Sequence, residues 1–284
     1  MAARPPPPNL VVNLFSHYGL LKKIKINENK KMRLSFFFIL FLMTNTALCL
    51  TVVLDPGHGG FDRGAAYGSA QESKIVLMLG QKVKEYLEQE KLKVMLTRSK
   101  DEFVSLKKRV QLSKKYEGDL FVSLHANASS DQRAYGLEFF LTPNKRSASF
   151  ASPNSTKAVA NTSANIDTST DDAIELSKTK DVSKILKDIK LNIQSKKSLK
   201  LSRTLQNDLP GNIKQAPFYV LTQTQMPSVL IEVGFLSHPK DNKKLMNEEY
   251  RNDLALKIAD SIKRYTRANY PAANLLDENT PTPR

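Results

Sequence analysis

The chain has 284 residues, enough for one large domain or one medium domain with appendages. Its formal charge of +15 favours an anionic partner, but charge alone does not choose between nucleic acid, anionic lipid and an acidic wall polymer. The single cysteine, Cys49, excludes an intrachain disulfide.

The first predicted element is a secretory signal peptide over residues 32–49. Basic residues precede an apolar run at residues 34–43, and small residues lead to a cleavage point just after Cys49. The run is short for a membrane span. Residues 1–31 form an N-terminal extension of uncertain status, and Met32 is a candidate for the true start. We therefore expect export to the periplasm or the cell wall, with membrane contact only during export.

Strands and helices alternate after the signal segment. Strands are predicted at residues 51–54, 93–97, 119–124 and 137–142, and helices at residues 73–90 and 106–113. This alternation predicts an α/β fold, with a mostly parallel twisted sheet and helices on both of its faces. Ligands of such sheets bind beyond the carboxyl ends of the strands.

The second half of the chain begins with an interruption. Residues 144–181 are small and polar, which predicts a mobile insertion. The later predicted elements are helices at residues 182–193 and 199–209, strands at 218–221 and 229–235, and a helix at 248–265. A flexible tail is predicted at residues 267–284, so the predicted domain covers residues 50–266.

Two of the four histidines lie at predicted strand ends. His58 belongs to the segment Asp-Pro-Gly-His-Gly-Gly at residues 55–60, and His125 follows the third strand. Glu72 begins the first helix, and the loop before it can fold back toward His58. Two imidazoles and a carboxylate leave open positions on a zinc ion, as in catalytic sites. Each residue also has an ordinary interpretation: His58 as a turn residue, His125 as a buried histidine with satisfied hydrogen bonds, and Glu72 as a carboxylate favoured by the helix dipole.

Glu232 interrupts the apolar run at residues 229–235. A buried carboxylate without a partner is costly or becomes protonated. One interpretation is a general base beside the metal, with a pKa raised toward neutrality by apolar surroundings. The alternative is a strand-edge position that faces water or forms a salt bridge.

These segments together resemble one family. The motif at residues 55–60, a Glu before the first helix, Ser-Leu-His-Ala-Asn at 123–127 and Pro-Ser-Val-Leu-Ile-Glu-Val-Gly-Phe at 227–235 are similar to motifs of the zinc-dependent N-acetylmuramoyl-L-alanine amidases of bacterial cell walls. The resemblance covers roughly residues 51–265. It implies a zinc site at the carboxyl ends of the strands, with one Zn²⁺ bound by the following residues: His58, Glu72 and His125.

The resemblance also implies an activity and its partner. The substrate would be peptidoglycan, cut at the amide bond between N-acetylmuramic acid and L-alanine during wall remodelling or daughter-cell separation. Zinc would activate the attacking water, and Glu232 would act as general base and then as general acid. Asn127 and Arg98 are candidates for substrate binding or for support of the site.

Some members of this family carry an inserted helix that covers the zinc until a regulatory activator protein removes it. The insertion at residues 144–181 lies at a similar point, and Glu175 within it is a candidate autoinhibitory ligand. Its composition is more typical of a loop than of a helix that blocks a site.

Two other functions stay open. One is a zinc peptidase that cuts another amide of the stem peptide, and the other is a non-catalytic wall-binding protein on the same scaffold. Nucleic-acid binding is disfavoured, because aromatic residues are few, tryptophan is absent and export would remove the chain from such a partner.

Overall fold

A computed structural model describes residues 50–131, 133–143 and 171–271, and describes only the backbone of residues 171–181. The predicted N-terminal extension and signal peptide, most of the predicted insertion and most of the predicted tail lie outside the described residues. In the part of the chain that is described, no helix is long and apolar enough to cross a membrane.

The described residues are built around a six-stranded sheet with strand order β4-β1-β5-β8-β6-β7. The strands of the described residues are β1 (Thr51–Pro56), β2 (Ala66–Tyr67), β3 (Ala70–Gln71), β4 (Lys93–Leu96), β5 (Leu120–Asn127), β6 (Leu137–Leu141), β7 (Gly211–Gln215) and β8 (Ser228–Phe235). Neighbours in the sheet are parallel except β6 and β8, and β2 and β3 form a separate antiparallel hairpin. The predicted mostly parallel sheet is confirmed.

Helices cover both faces of this sheet. They are α1 (Glu72–Gln89), α2 (Leu106–Lys115), α3 (Asp171–Asp208), α4 (Tyr219–Gln223), α5 (Pro239–Met246) and α6 (Glu248–Asn269). Helices α1, α3 and α6 pack over the larger apolar core on the first face, whereas α2 and α4 cover a smaller core on the second. The predicted two-sided α/β architecture is confirmed.

Side chains of the central strands alternate between the two faces, as the pleat requires. Val122 and Leu124 of β5 enter the larger core, and burying each contributes roughly 1.5–3 kcal/mol. On the second face Phe121 is followed by Ser123 and then by His125, so β5 becomes polar toward its carboxyl end. The first face therefore supplies most of the apolar burial, and the second face carries chemistry at one end.

Helix α3 differs from the prediction. It is one continuous helix from Asp171 to Asp208, whereas the sequence pattern predicts a polar insertion at residues 171–181 and two separate helices after it. Residues 171–181 include Ala, Leu, Glu and Lys, which favour helix without any apolar periodicity. The apolar pattern therefore predicts only the part of this helix after residue 181.

The predicted strand at residues 218–221 is wrong, because this segment begins the short helix α4. The N–H groups of Leu221 and Thr222 donate to the carbonyl of Phe218 at 3.1 and 2.9 Å, which closes a helical turn. The position beside β6 is occupied instead by β7, whose sequence is mostly polar. At the carboxyl end, α6 continues to Asn269, four residues beyond its predicted end and into the predicted tail.

Candidate functional site

His58 lies in a tight turn two residues after β1. Its φ is 57°, a left-handed conformation that is uncommon outside glycine, and Gly59 follows with a φ of 127°. Two guanidinium groups hold the backbone: Arg109 Nη2 donates to the carbonyl of His58 at 2.6 Å, and Arg98 Nη2 donates to the carbonyl of Gly57 at 2.7 Å. The turn is thus fixed from outside.

The turn brings His58 to Glu72 and His125. One ligand atom from each of the three lies within 4.8 Å of the others, and this is the group of described residues that could hold a metal ion. Oε1 of Glu72 lies 3.2 Å from Nε2 of His58 and 2.9 Å from Nδ1 of His125. The two imidazole rings meet edge to face with centroids 5.0 Å apart. The structure therefore assembles the three residues proposed from the sequence.

Neighbouring groups fix the directions of these side chains. The β2–β3 hairpin returns the chain so that the N–H of Ala65 donates to Oε2 of Glu72 at 2.7 Å, while the N–H of Ala126 donates to Oε1 at 3.0 Å. Oδ1 of Asp62 accepts from Nδ1–H of His58 at 2.9 Å. In a neutral ring this bond leaves the lone pair of Nε2 facing Glu72, as in metal-binding histidines held by a carboxylate.

The cluster fits a metal ion because its electrostatics call for a cation. Burial lowers the pKa of His58, but the hydrogen bond and charge of Glu72 outweigh burial and raise that pKa to about 8. Burial raises the pKa of Glu72, but hydrogen bonds from His125 and His58 hold that pKa well below its usual range. A positive charge is thus favoured among the three donor atoms, and two imidazoles with a carboxylate suit a transition-metal ion.

Two glycines leave the space that the cluster needs. A Cβ at Gly64 would overlap Oε2 of Glu72 and lie 2.6 Å from Cδ2 of His58. A Cβ at Gly57 would lie 2.5 Å from Nε2 of His125. Any side chain at either position would displace a member of the cluster.

Glu232 lies beside the cluster. It is paired in register with His125 on one side and with Glu138 on the other, so the three side chains form a row on the second face of the sheet. Glu232 is 8% exposed, and within the described residues its Oε2 atom has no hydrogen-bond partner. Burial raises the pKa of Glu232 to about 7. The structure thus favours the buried carboxylate of the sequence analysis over the water-facing alternative.

A buried ion pair joins β1 to α2 near this row of side chains. Nη1 of Arg109 lies 2.7 Å from Oδ1 of Asp55, and their side chains are 3% and 1% exposed. Thr97 Oγ1 and Ser123 Oγ also donate to this carboxylate, at 2.6 and 2.8 Å. Although burial raises it, the pKa of Asp55 is lowered by Arg109 and these hydroxyl groups. Together these contacts connect β1, β5, α2 and the residue after β4 next to the His58 turn.

The other sequence-predicted residues lie elsewhere. Arg98 is buried, and its guanidinium donates to backbone carbonyls, including that of Ser73 at 2.7 Å, so it supports the turn. Asn127 ends β5, and its Oδ1 accepts the N–H of the next residue at 2.8 Å. The side chain of Glu175 lies outside the described residues. Asp62 was missed, although a carboxylate four residues after His58 was a readable signal.

Comparisons with known proteins identify a family. A family model described as N-acetylmuramoyl-L-alanine amidase matches residues 52–264. The chain belongs to this family. It is 33% identical over 222 residues to the amidase AmiC of Neisseria meningitidis serogroup B, covering 75% of this chain and 52% of that protein, so it spans about half the length of that relative. It is 30% identical over 230 residues to the amidase AmiA of Escherichia coli K12, covering 75% of each.

A solved amidase has the same fold. The structure of the CwlD amidase from Clostridioides difficile, in complex with the GerS lipoprotein, matches with a TM-score of 0.57 and 25% identity, and covers 78% of this chain and all of that chain (100%). The match to this family member supports the two-sided α/β architecture described above.

Proposed function

We propose that this chain hydrolyses the amide bond between N-acetylmuramic acid and L-alanine in peptidoglycan, using one zinc ion. Nε2 of His58, Oε1 of Glu72 and Nδ1 of His125 would hold the ion. The observation that carries the proposal is the convergence of these three atoms beside Glu232, a buried carboxylate with an unpaired oxygen among the described residues. When bound, zinc supplies Lewis-acid chemistry: it polarises a carbonyl and acidifies water.

Glu232 moves the protons in this proposal. Its pKa of about 7 suits a group that both accepts and releases a proton near neutral pH. Oε2 takes the proton of the attacking water and returns it to the nitrogen of the departing L-alanine. The apolar neighbours of Glu232 in β8 exclude water and maintain that pKa.

The surrounding residues position the reacting groups. Asp62 holds the His58 ring, and the buried pair of Asp55 and Arg109 holds the turn beneath it. We assign Arg98 to the same supporting role. Asn127 lies at the end of β5, two residues after His125. Because its Oδ1 accepts a backbone N–H, its contact with substrate would use Nδ2.

The cellular setting is part of the proposal. Residues 32–49 would act as a signal peptide and place the enzyme in the periplasm or at the cell wall, where it would remodel peptidoglycan or separate daughter cells. A regulatory activator protein is also proposed, and the CwlD structure, a complex with the GerS lipoprotein, supports such a partner. Glu175 stays a candidate autoinhibitory ligand.

The test compares wild-type protein with Glu232→Gln on purified sacculi, with zinc measured in both. We expect the variant to keep its zinc and to lose nearly all hydrolysis. Mass analysis of the products should show intact stem peptides released from the glycan by the wild-type protein. Cleavage within the stem peptide would identify a peptidase instead, and zinc-independent wall binding without products would identify a binding protein. Glu249→Gln, an exposed substitution in α6, is the matched control.

A further inference from the structure

Two phenylalanines form an exposed aromatic pair beside the metal cluster. The rings of Phe61 and Phe103 are stacked, with centroids 4.2 Å apart and planes 28° from parallel. Phe61 is 80% exposed and Phe103 is 45% exposed. Exposed apolar surface of this kind often marks a place where a ligand or partner binds. Since Phe103 covers one face of Phe61, the other face is presented to solvent.

The pair is rigidly attached to the His58 turn. The N–H of Gly60 donates to Oδ1 of Asp101 at 2.8 Å, which joins the loop after β1 to the loop after β4. The loops touch closely, because a Cβ at Gly60 would lie 2.7 Å from the backbone nitrogen of Phe103. Phe61 is three residues from His58, so their Cα atoms are at most about 11 Å apart. A ligand on Phe61 is therefore within reach of the metal cluster.

The strand order places this pair at one end of a row. Phe103 follows β4 and Phe61 follows β1, the metal cluster lies at β1 and β5, and Glu232 lies on β8. Beyond it, Glu138 of β6 is paired with Lys214 of β7, whose side chain is 48% exposed. Because adjacent strands are about 4.8 Å apart, the row extends about 19 Å from β1 to β7. It thus has the aromatic pair at one end and the ion pair of Lys214 and Glu138 at the other.

The two halves of the proposed substrate differ in their chemistry. Stem peptides carry carboxylates, whereas the sugar chain has no comparable charge and presents the C–H groups of its pyranose rings. The face of an aromatic ring carries partial negative charge and favours contact with such C–H groups. Beside the aromatic end, Lys100 and Glu102 pair with each other at 3.6 Å, and Asp101 adds a negative charge that disfavours an anionic stem peptide there.

We propose that Phe61, backed by Phe103, is a glycan subsite that stacks on a pyranose ring next to the N-acetylmuramic acid whose amide is cut, while the stem peptide extends away from Phe61, over β8 and β6. This inference rests on the proposed function, since it orients that substrate across the cluster. Phe61 touches the sugar, and Phe103 holds the Phe61 ring in place.

The test compares two substrates: peptidoglycan fragments with several disaccharides, and N-acetylmuramoyl-L-alanyl-D-isoglutamine, which has one sugar. Phe61→Ala should lower kcat/KM on the long fragments about fivefold to tenfold more than on the small substrate, mainly through KM. Phe61→Trp should restore the ratio. Leu256→Ala, which removes an exposed apolar side chain from α6, should leave it at the wild-type value. An equal loss on both substrates would overturn the proposal.

A binding measurement separates this inference from the proposed function. Peptide-free glycan strands are titrated against the Glu232→Gln protein, with and without Phe61→Ala. We expect the second substitution to weaken glycan binding about fivefold or more. Unchanged glycan binding, or weakened binding of the isolated stem peptide instead, would overturn the glycan subsite. If the wild-type protein releases no stem peptide from either substrate, the proposed function fails, and the glycan titration still decides whether Phe61 binds sugar.

Discussion

Glu232→Gln should stabilise the metal-free protein at the same time as it removes activity. Burial raises the pKa of Glu232 from its ordinary value of 4.5 to about 7. The folded state therefore resists ionisation of this carboxyl group over a pH range in which the unfolded chain ionises freely. Gln has nearly the same size and cannot ionise, so it avoids this cost.

The magnitude follows from the two pKa values. Each pH unit corresponds to about 1.4 kcal/mol, so the rise from 4.5 to about 7 is worth about 3 kcal/mol. Below pH 4.5 the carboxyl group is protonated in both states and the cost is absent. As pH rises through 7 the folded state ionises as well, and the cost is then fully developed. The wild-type protein therefore loses about 3 kcal/mol of unfolding free energy between pH 4.5 and pH 7, and the variant does not.

The assay is urea unfolding with a chelator present, at pH 4.5 and at pH 8, for wild-type protein, Glu232→Gln and the control Glu249→Gln. The difference in unfolding free energy between Glu232→Gln and wild type should grow by about 3 kcal/mol between the two pH values. The control, at an exposed position, should change little. A difference for Glu232→Gln that does not depend on pH would refute the argument that burial penalises this carboxylate.

Three further substitutions and one control test the cluster and its support. Gly64→Ala should abolish metal binding, because the new Cβ would overlap the carboxylate of Glu72. The control is Gly68→Ala, which has a similar φ of 59° and no atom within 4 Å of its Cβ, and it should keep the metal. The metal content of each purified variant is the measurement. Asp62→Ala should weaken zinc affinity about 10- to 100-fold in a chelator competition, and an unchanged affinity would show that the ring needs no such partner. Asp55→Ala should cost about 3–5 kcal/mol in chemical unfolding by leaving Arg109 buried and unpaired, and a loss below 1 kcal/mol would contradict that burial.

The sequence predicted most of the site because its signals are local. His58 follows a strand and sits among glycines, His125 ends another strand, and Glu232 interrupts an apolar run. Each signal lies at the end of an apolar run or interrupts one, which is read directly from neighbouring residues. Glu72 was harder, since only the return of the β2–β3 hairpin brings its carboxylate to the histidines, and two-residue strands leave no periodic pattern.

The secondary-structure predictions were wrong where contacts distant in sequence decide whether a segment is a helix or a strand. The segment at residues 218–221 has the aromatic and β-branched composition of a strand, yet the space beside β6 is filled by β7, and the segment closes a helical turn instead. Residues 171–181 lack an apolar period but form the first turns of α3, which is anchored by the packing of its later turns against β8 and α6. Pairing partners and packing are properties of the whole chain, so a local window cannot supply them.

The sequence by itself determined the alternation of strands and helices, the strand ends that carry His58 and His125, and the anomaly of Glu232. The tertiary structure decided that Glu72, a candidate ligand in the sequence, meets both histidines, and that Phe61 stacks on Phe103 close to the His58 turn. The physical reason is the period of the strand: it fixes which face each residue occupies, but only the order of strands in the sheet decides which residues become neighbours.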